Sequence, residues 1–279
     1  MMASYFFFSK KKINTILTGP ALKIFKKFNL IYKNFDKRRL NSLVKKSTMI
    51  YTGTGWQTDL EKSAILLAKK HKIKVISFVD HWVNYRQRFL LNAKKILPDE
   101  ILVNNKRAET QLKFDSFFKK SKIKLVTNFY KKYILKKTKV FRFIKNNKFN
   151  ILFISEPFIK KIHGFSNQDI IVEFVRYLRA NFKKKIILNI RMHPSQKEID
   201  FRFVKKIKYQ NIILKISNRE NLEEDIITND LVIGCNSYAL IVSLWLKKKT
   251  YYFFNIKGMK SVLKNKKIKN FRYARIRYR

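Results

Sequence analysis

The sequence predicts an α/β fold with two Rossmann-like domains that face each other across a cleft. Short apolar runs with the length of buried strands alternate with amphipathic helical segments, the pattern of a parallel sheet covered by helices. The alternation stops over the Lys- and aromatic-rich residues from about 128 to 148 and then starts again. We therefore expect four regions: an N-terminal domain over 1–130, a linker over 131–148, a C-terminal domain over 149–258 and a basic tail over 259–279.

In the first half, each predicted strand leads into a predicted helix. Turn and capping residues mark the junctions, such as Gly19-Pro20 before one helix and Thr58 with Glu61 three residues on before another. The predicted strands lie at about 13–17, 48–51, 74–79, 101–103 and 122–126. The predicted helices lie at about 21–28, 36–45, from Thr58, 87–95 and from Asn104 or Asn105.

The second half repeats this organisation. Ser195 followed by Glu198 is a capping-box pattern, so we expect a helix to begin directly after Pro194. The predicted strands lie at about 150–154, 186–192, 212–215, 230–234 and 251–255. One predicted helix covers about 168–181, and two others begin at Ser195 and Leu222. A fourth, almost wholly apolar helix follows the strand at 230–234 and ends at about Leu246.

The composition indicates a folded protein of a reducing compartment. Hydrophobic residues make up 46% and aromatic residues 15% of the 279 residues, too many for a disordered chain. The single cysteine, Cys235, excludes a disulfide framework. No apolar run approaches the length of a membrane-spanning helix. We expect a cytoplasmic protein that could lie at the inner face of the cell membrane.

The net charge of +46 is the most unusual global property. The lysines are scattered along the chain and accompany many Ile, Asn, Phe and Tyr residues, all encoded by A- and T-rich codons. We interpret most of the charge as compositional bias on solvated surfaces and expect no specific nucleic-acid partner. The tail is the local exception, because aromatic residues such as Phe271 and Tyr278 interleave with its basic residues. It could bind anionic lipid headgroups or simply be solvated.

Two strand ends of the first half carry candidate ligand-binding residues. Gly53-Thr54-Gly55-Trp56 follows one strand, and its glycines would let a ligand approach the backbone closely. A tight turn is the simpler alternative, and the third glycine of a dinucleotide fingerprint is missing. The next strand ends in a run of polar and aromatic residues at 80–86: Asp80, His81, Trp82, Val83, Asn84, Tyr85 and Arg86.

The run at 80–86 has the chemistry of an acceptor site. Trp82 and Tyr85 suit stacking on a sugar ring, while Asn84 and Arg86 add hydrogen-bonding groups. Either His81 or Asp80 could act as general base on an acceptor hydroxyl. We favour His81, because an imidazole is half-deprotonated near neutral pH without burial. The structural alternative is that the aromatic residues close the core edge and Asp80 caps a helix.

In the second half, strand ends carry candidate anion-binding residues. Arg191 and His193 alternate along one strand and can donate hydrogen bonds to phosphate, with Ser195 beside them. Asn236 and Ser237 follow another strand where a helix begins. They could bind an anion or only cap that helix. Glu156, which follows the first strand of this half, is a candidate for the acceptor side of the cleft.

These motifs resemble the donor half of GT-B glycosyltransferases. The resemblance is carried by Arg-x-His-Pro-Ser at 191–195 and by Asp-Leu-Val-Ile-Gly-x-Asn-Ser at 230–237, followed by an apolar helix. It is greatest to bacterial polysialyltransferases, capsule-polysaccharide transferases and CDP-glycerol glycerophosphotransferases. In those families the His-Pro pair and the later Ser hold the nucleotide's phosphates, which implies donor-binding roles for His193 and Ser237. The Glu that many GT-B proteins carry in the following helix is absent.

The resemblance implies a metal-independent inverting transferase of surface-polysaccharide biosynthesis. Its donor would be a nucleotide-activated sugar or polyol phosphate, and its acceptor a saccharide or a lipid-linked saccharide. No cofactor or metal is expected, because the four widely spaced histidines and the single cysteine form no metal-ligand pattern. Two alternatives stay open: a nucleotide-sugar epimerase or hydrolase on the same fold, and a basic membrane- or nucleic-acid-binding protein without catalysis.

Overall fold

The computed structural model describes residues 1–55, 58–80, 83–139, 149–254 and 265–273. The chain divides into two compact units, Met1–Tyr133 and Ile134–Arg279, which we call unit 1 and unit 2. Each unit combines parallel strands with helices, as the alternating pattern predicts. No helix in the described part of the chain has the length and apolar character needed to cross a membrane.

Unit 1 is built around a 4-stranded parallel sheet in the order β3-β4-β7-β8. A separate 2-stranded parallel sheet pairs β1 with β2. The strands of unit 1 are β1 Ile13–Thr15, β2 Ile31–Asn34, β3 Met49–Thr52, β4 Lys74–Val79, β5 Leu90–Leu91, β6 Lys94–Lys95, β7 Glu100–Val103 and β8 Lys122–Leu125. Its helices are α1 Met2–Ser9, α2 Gly19–Lys27, α3 Leu40–Lys45, α4 Leu60–Lys70, α5 Lys106–Phe114 and α6 Phe129–Thr138, which runs into unit 2.

The core of unit 1 lies between this sheet and its helices. Ile65 of α4 and Leu112 of α5 are almost fully buried, together with Val75 and Ile101 on the strands. Asn105 caps α5, because its side-chain oxygen accepts a hydrogen bond from the backbone N–H of Ala108 at 2.8 Å. The predicted cap of α5 is thereby confirmed.

The prediction of a helix over 87–95 is wrong. A 3₁₀ turn at Gln87–Phe89 is followed there by β5 and β6, which form an antiparallel hairpin. Asn92 and Ala93 both have positive φ and form its two-residue loop, a conformation that matches the twist of paired strands. Phe89 is fully buried, so packing fixes the chain before a helix could extend. At α4 the N-cap is Asp59, not the predicted Thr58.

Unit 2 is built around a 6-stranded parallel sheet in the order β11-β10-β9-β12-β13-β14. Its strands are β9 Phe149–Ile154, β10 Ile186–Arg191, β11 Ile212–Ile216, β12 Leu231–Gly234, β13 Lys249–Tyr252 and β14 Lys269–Asn270. Its helices are α7 Lys160–His163, α8 Asn167–Asn181, α9 Leu222–Thr228 and α10 Ala239–Trp245. Helix α8 begins with a capping box between Ser166 and Asp169 and buries Phe174 against the sheet.

The capping box predicted between Ser195 and Glu198 is wrong. Ser195 Oγ lies 2.7 Å from His193 Nδ1, so this hydroxyl is engaged with the imidazole. A 3₁₀ segment at Glu198–Lys206 follows instead, with Lys197 as its N-cap and Asp200 as the acidic partner. The segment therefore begins later than the sequence pattern predicts.

The predicted linker and tail are only partly described. The first part of the linker is helical, in α6, and residues 140–148 lie outside the described residues. Within the predicted tail, residues 265–273 belong to unit 2: β14 pairs with β13, and Phe271 is buried and stacks on Phe182 at 5.9 Å between ring centroids. Residues 255–264 and 274–279 lie outside the described part.

Candidate functional site

The candidate site of unit 2 lies at the carboxyl edge of its sheet. Strand β9 pairs with β10 on one side and with β12 on the other, so the loops that follow these three strands are neighbours. These loops carry Glu156, His193 and the turn at 235–238 between β12 and α10. Gly234 ends β12 close to β9, because a Cβ at this position would lie 3.2 Å from both Cβ and the carbonyl oxygen of Ile154. Carboxyl edges of this kind bind ligands in open α/β sheets.

Glu156 binds the turn after β12. Its Oε1 accepts hydrogen bonds from the backbone N–H groups of Cys235, at 3.2 Å, and Asn236, at 2.5 Å. The N–H group of Ser237 adds a third favourable interaction with this carboxylate. The N–H groups of this turn therefore bind the protein's own Glu156 carboxyl group.

The protonation of Glu156 is poised near neutrality. Burial raises the pKa of the Glu156 carboxyl group to about 7, because desolvation of the carboxylate outweighs the hydrogen bonds from Asn236, Cys235 and Ser237. The negative charge of Glu156 in turn adds to the effect of burial in raising the pKa of the Cys235 thiol. This part of the site consequently gains or loses one negative charge in the physiological range.

His193 presents one ring nitrogen to a ligand. Its Nδ1 accepts a hydrogen bond from the backbone N–H of Ser195 at 3.2 Å, and burial lowers the pKa of the imidazole, so the neutral ring carries its proton on Nε2. No residue in the described part of the chain forms a hydrogen bond with Nε2. The Nε2–H group is therefore an available donor for a phosphate or hydroxyl oxygen.

Gln196 joins the loops after β9 and β10. Its Oε1 accepts hydrogen bonds from the backbone N–H of His193, at 2.8 Å, and from Ser155 Oγ, at 2.9 Å. Its Nε2 donates to the carbonyl oxygen of Glu156 at 3.2 Å. Gln196 thus fixes the backbone of both His193 and Glu156. Sequence reasoning missed it, although its position directly after His-Pro-Ser was the available signal.

The guanidinium of Arg191 is engaged by groups of the protein itself, and its donor-binding role stays a prediction. Its guanidinium pairs with the buried carboxylate of Asp225 and donates to the carbonyl oxygens of Arg219, at 3.0 Å, and Glu220, at 3.2 Å. Asp225 also accepts a hydrogen bond from Ser217 Oγ at 2.5 Å. Arg191 therefore supports the fold behind the edge of the sheet.

The hydroxyl of Ser237 contacts the start of the helix that follows. Ser237 Oγ accepts a hydrogen bond from the backbone N–H of Ala239 at 3.2 Å, but the N-cap of α10 is Tyr238 and not one of the two predicted residues. Asn236 offers its backbone N–H group to Glu156 as described. A role of Asn236 and Ser237 in donor binding stays a prediction.

In unit 1, the glycine loop after β3 is closed by its own side chains. Glu61 accepts hydrogen bonds from the backbone N–H of Gly55, at 3.3 Å, and from Thr58 Oγ1, at 2.7 Å. A Cβ at Gly55 would lie 2.8 Å from Thr58 Oγ1, so a larger residue there would require the Thr58 side chain to move. A Cβ at Gly53 would lie 3.6 Å from Glu61 Oε1, which is an ordinary contact distance. The role of Gly53 and Gly55 in ligand binding stays a prediction.

The run after β4 is placed in part. Asp80 is exposed, with its carboxylate 3.5 Å from the amino group of Met1, and Asn84 is exposed with φ of 58°. Arg86 forms a two-pronged ion pair with Asp115 at 2.9 and 2.8 Å, so it supports this loop. The phenol oxygen of Tyr85 is buried and has no hydrogen-bond partner among the described residues. Three predicted residues lie outside the described part: Trp56, His81 and Trp82.

No protein-family model and no curated protein matches the chain. Solved structures do match. The chain is similar to the Staphylococcus aureus MnaA–UDP structure, with 13% identity, a TM-score of 0.60 and coverage of 90% of this chain and 75% of the other. It is also similar to the Neisseria meningitidis UDP-GlcNAc 2-epimerase bound to UDP-GlcNAc, with 13% identity and a TM-score of 0.55. That match covers 84% of this chain and 71% of the other. A third similar structure is that of a putative UDP-N-acetylglucosamine 2-epimerase from Listeria monocytogenes. It has 10% identity and a TM-score of 0.58, and the match covers 88% of this chain and 71% of the other.

The fold is that of the GT-B enzymes. The predicted α/β class, with a parallel sheet in each of two Rossmann-like units, is thereby confirmed. The carboxyl edge of unit 2 combines a neutral imidazole, backbone N–H groups and a titrating carboxyl group on the loops after β10, β12 and β9. No cluster of His, Cys, Asp and Glu in the described part could hold a metal ion. A surface pocket elsewhere, where β4 begins, does not involve the predicted residues and is lined by Lys69, Lys72, Ile73, Lys74 and Asp99.

Proposed function

We propose that the protein binds a nucleotide-activated sugar or polyol phosphate at the carboxyl edge of unit 2 and transfers the activated group to an acceptor hydroxyl in surface-polysaccharide biosynthesis. The observation that carries this proposal is that His193 and the turn at 235–238 follow the two strands that flank β9. A neutral imidazole with an available Nε2–H group and a set of backbone donors thus lie on either side of the loop that carries Glu156. The UDP and UDP-GlcNAc in two structures of the same fold support a nucleotide-sugar ligand.

The chain's own residues supply the hydrogen bonds that a leaving nucleotide needs. His193 Nε2–H donates to a phosphate oxygen, and the N–H groups of Cys235 and Asn236 bind another oxygen once Glu156 releases them. Such fixed donors stabilise the charge that develops on the leaving phosphate. Gln196 holds the His193 backbone in place and so limits the reorganisation that the reaction requires.

Glu156 makes donor binding depend on its protonation. A phosphate and the Glu156 carboxylate compete for the same N–H groups and repel each other. Binding of the donor to these N–H groups therefore requires displacement of this side chain, and uptake of one proton by Glu156 removes the repulsion. Since the pKa of Glu156 is raised to about 7, proton uptake is accessible at neutral pH.

Transfer to an acceptor requires a general base, and His81 and Asp80 remain the proposed candidates. An acceptor hydroxyl attacks poorly unless its proton is removed. The acceptor is a saccharide or a lipid-linked saccharide, and Tyr85 and Asn84 lie in the same run as the base. We further propose that the enzyme works in the cytoplasm, at the inner face of the membrane.

An epimerase that acts on the same kind of nucleotide sugar is the second candidate. One observation favours it: Glu156 can exchange a proton near pH 7 within the candidate nucleotide site, as an acid–base catalyst of epimerisation must. An epimerase needs no acceptor. Incubating the donor with the protein in D₂O distinguishes the two candidates, because an epimerase that removes a carbon-bound proton incorporates deuterium into the sugar without an acceptor.

Calorimetric titration with CMP, CDP, UDP and GDP tests nucleotide binding, which both candidate functions require. We expect at least one nucleotide to bind, and His193→Ala to weaken that binding. Turnover of the corresponding activated sugars, followed by ³¹P NMR with and without saccharide acceptors, then tests transfer. Absence of binding by every nucleotide would contradict the proposed function.

A further inference from the structure

Arg88 of unit 1 is a buried cation without an ion-pair partner. Its residue surface is 6% exposed, and no carboxylate in the described part of the chain forms an ion pair with it. The other charged residues of that part with 8% exposure or less each form an ion pair, whereas Glu156, which is more exposed, is bound by backbone N–H groups. Those paired side chains are Lys62, Glu100, Glu109, Glu223 and Asp225.

The contacts of Arg88 join two loops at the carboxyl edge of the unit 1 sheet. Its Nη1 donates to the carbonyl oxygen of Thr54, at 2.5 Å, in the loop after β3. Its Nε donates to the carbonyl oxygen of Val83, at 3.1 Å, in the loop after β4. Nη2 has no acceptor among the described residues. The guanidinium is therefore fixed in place with part of its donor capacity unused.

Two carbonyl oxygens do not neutralise a buried positive charge. Burial lowers the pKa of Arg88, but a guanidinium stays protonated at pH 7. The charge of Asp80 opposes this lowering without forming an ion pair. Buried charges are stable in proteins when a counter-charge accompanies them, so the missing counter-charge points to an anion from outside the chain.

A second unused donor lies in the same segment. The hydroxyl of Tyr85 is buried and has no hydrogen-bond partner in the described part of the chain, and its electrostatic neighbours include Arg88 and Arg107. Arg86 is not an equivalent candidate, because Asp115 already binds its guanidinium at two points. Of Arg86 and Arg88, only Arg88 has no carboxylate partner among the described residues.

We propose that Arg88 is the centre of an anion-binding site in unit 1, which pairs with a carboxylate or phosphate group of a saccharide ligand. A guanidinium recognises both groups through paired N–H donors. The site consists of residues of unit 1 alone. Its test is therefore independent of the nucleotide site proposed for unit 2. If transfer occurs, the proposal makes the second substrate an acidic saccharide.

The test uses the Arg88 side chain as its own reporter. In the full chain labelled with ¹⁵N-arginine, the Nε–H resonance of Arg88 is assigned by through-bond correlation to its backbone. Inorganic phosphate, D-glucuronate and D-glucose are titrated separately at about 150 mM sodium chloride, where salt screens the scattered surface lysines. Anions that bind elsewhere do not move this resonance.

We expect a saturating shift of the Arg88 resonance with phosphate, with glucuronate or with both, and none with glucose. Response to only one anion identifies the ligand group. Arg88→Lys should weaken the binding about tenfold or more, because a point charge replaces the paired donors. The matched control, Arg38→Gln, removes an exposed arginine of the same unit and should change the affinity less than about twofold.

Two results would overturn the proposal. One is an Arg88 resonance that neither anion moves, and the other is an equal response to glucose. Both results come from the parent protein, so they remain decisive even if Arg88→Lys fails to fold.

Discussion

Oε1 of Glu156 lies 2.5 Å from the backbone nitrogen of Asn236, across a sequence separation of 80 residues. One residue follows β9 and the other follows β12, and these strands are paired in the sheet of unit 2. The loop after one strand thus supplies a carboxylate to the N–H groups that end its neighbour. The protonation of Glu156 should therefore change both the free energy of unfolding and the affinity for a nucleotide.

Glu156→Gln should remove a pH dependence of stability. The pKa of Glu156 is about 7 when folded, above its usual value of 4.5, so the folded state holds this proton more tightly. The resulting stabilisation is fully present below about pH 4.5 and is lost as the pH rises towards and through 7, by about 3 kcal/mol at most. Urea unfolding of parent and variant at pH 5, 6, 7 and 8 measures this loss. With exposed Glu198→Gln as control, equal slopes for parent and Glu156→Gln would contradict the account.

Glu156→Gln should also tighten nucleotide binding at pH 8. In the parent the carboxylate is then ionised and competes with phosphate, whereas a neutral amide does not repel it. We expect an affinity gain of about tenfold, which corresponds to about 1.4 kcal/mol. Because the nucleotide itself titrates, calorimetry should compare parent and variant at one pH. A weaker affinity of the variant would show that Glu156 assists the ligand and does not compete with it.

His193→Ala and Ser237→Ala should weaken nucleotide binding by about 1.5–3 kcal/mol each, the range for hydrogen bonds to charged groups. His193 is only partly buried, so its variant should fold normally. Ser237→Ala should in addition lower the free energy of unfolding by about 1 kcal/mol, because the hydrogen bond that Ser237 Oγ accepts from the N–H of Ala239 is lost. His71→Ala, in unit 1, is the control. Parent-like affinities in both site variants would remove these residues from the donor site.

Arg191→Gln should act on stability and leave nucleotide affinity nearly unchanged. Without Arg191, the Asp225 carboxylate, whose side chain is 2% exposed, loses its main partner. Breaking such a pair costs about 3 kcal/mol or more. Arg191→Gln combined with Asp225→Asn should recover part of the loss in a urea titration. A stable single variant with greatly weakened nucleotide binding would restore Arg191 to the donor site.

His81→Ala should abolish turnover without changing donor affinity if His81 is the base. Asp80→Asn should then retain most of its activity, because adjacent side chains on an extended chain point in opposite directions. Turnover and donor affinity are measured together for both variants. Full turnover in both would exclude this run from the mechanism.

Except for β14, the strands of the two large sheets and most of the longer helices were predictable because their signals are local, whereas β2 and α1 were not predicted. The run Leu231–Gly234 is apolar enough to be read as a buried strand, and the Asn105 cap acts within three residues. The hairpin at 90–95 was not predictable in this way. Its position depends on burial of Phe89 and on the contacts of Arg88 with two separate loops.

The position of the candidate residues in the fold was predictable, and their contacts were less so. Strand-like runs that end in polar residues indicated the carboxyl edge of the sheet, where His193 and Glu156 follow β10 and β9. The partners of Arg191 and Glu156 were not predictable, because Asp225 and Asn236 are 34 and 80 residues away in sequence. Whether an arginine faces a ligand or a buried aspartate depends on such distant pairs.

The most direct test of the central claim is the response of the backbone amides at 235–237 to nucleotide. In ¹H–¹⁵N spectra of the full chain, titration with CDP, UDP or GDP should shift the amides of Cys235, Asn236 and Ser237 together with His193 Nε2–H, in one saturating transition. Such a result would place the phosphates on the N–H groups that Glu156 now binds. Saturable nucleotide binding that leaves all of these resonances unmoved would contradict the proposed donor site.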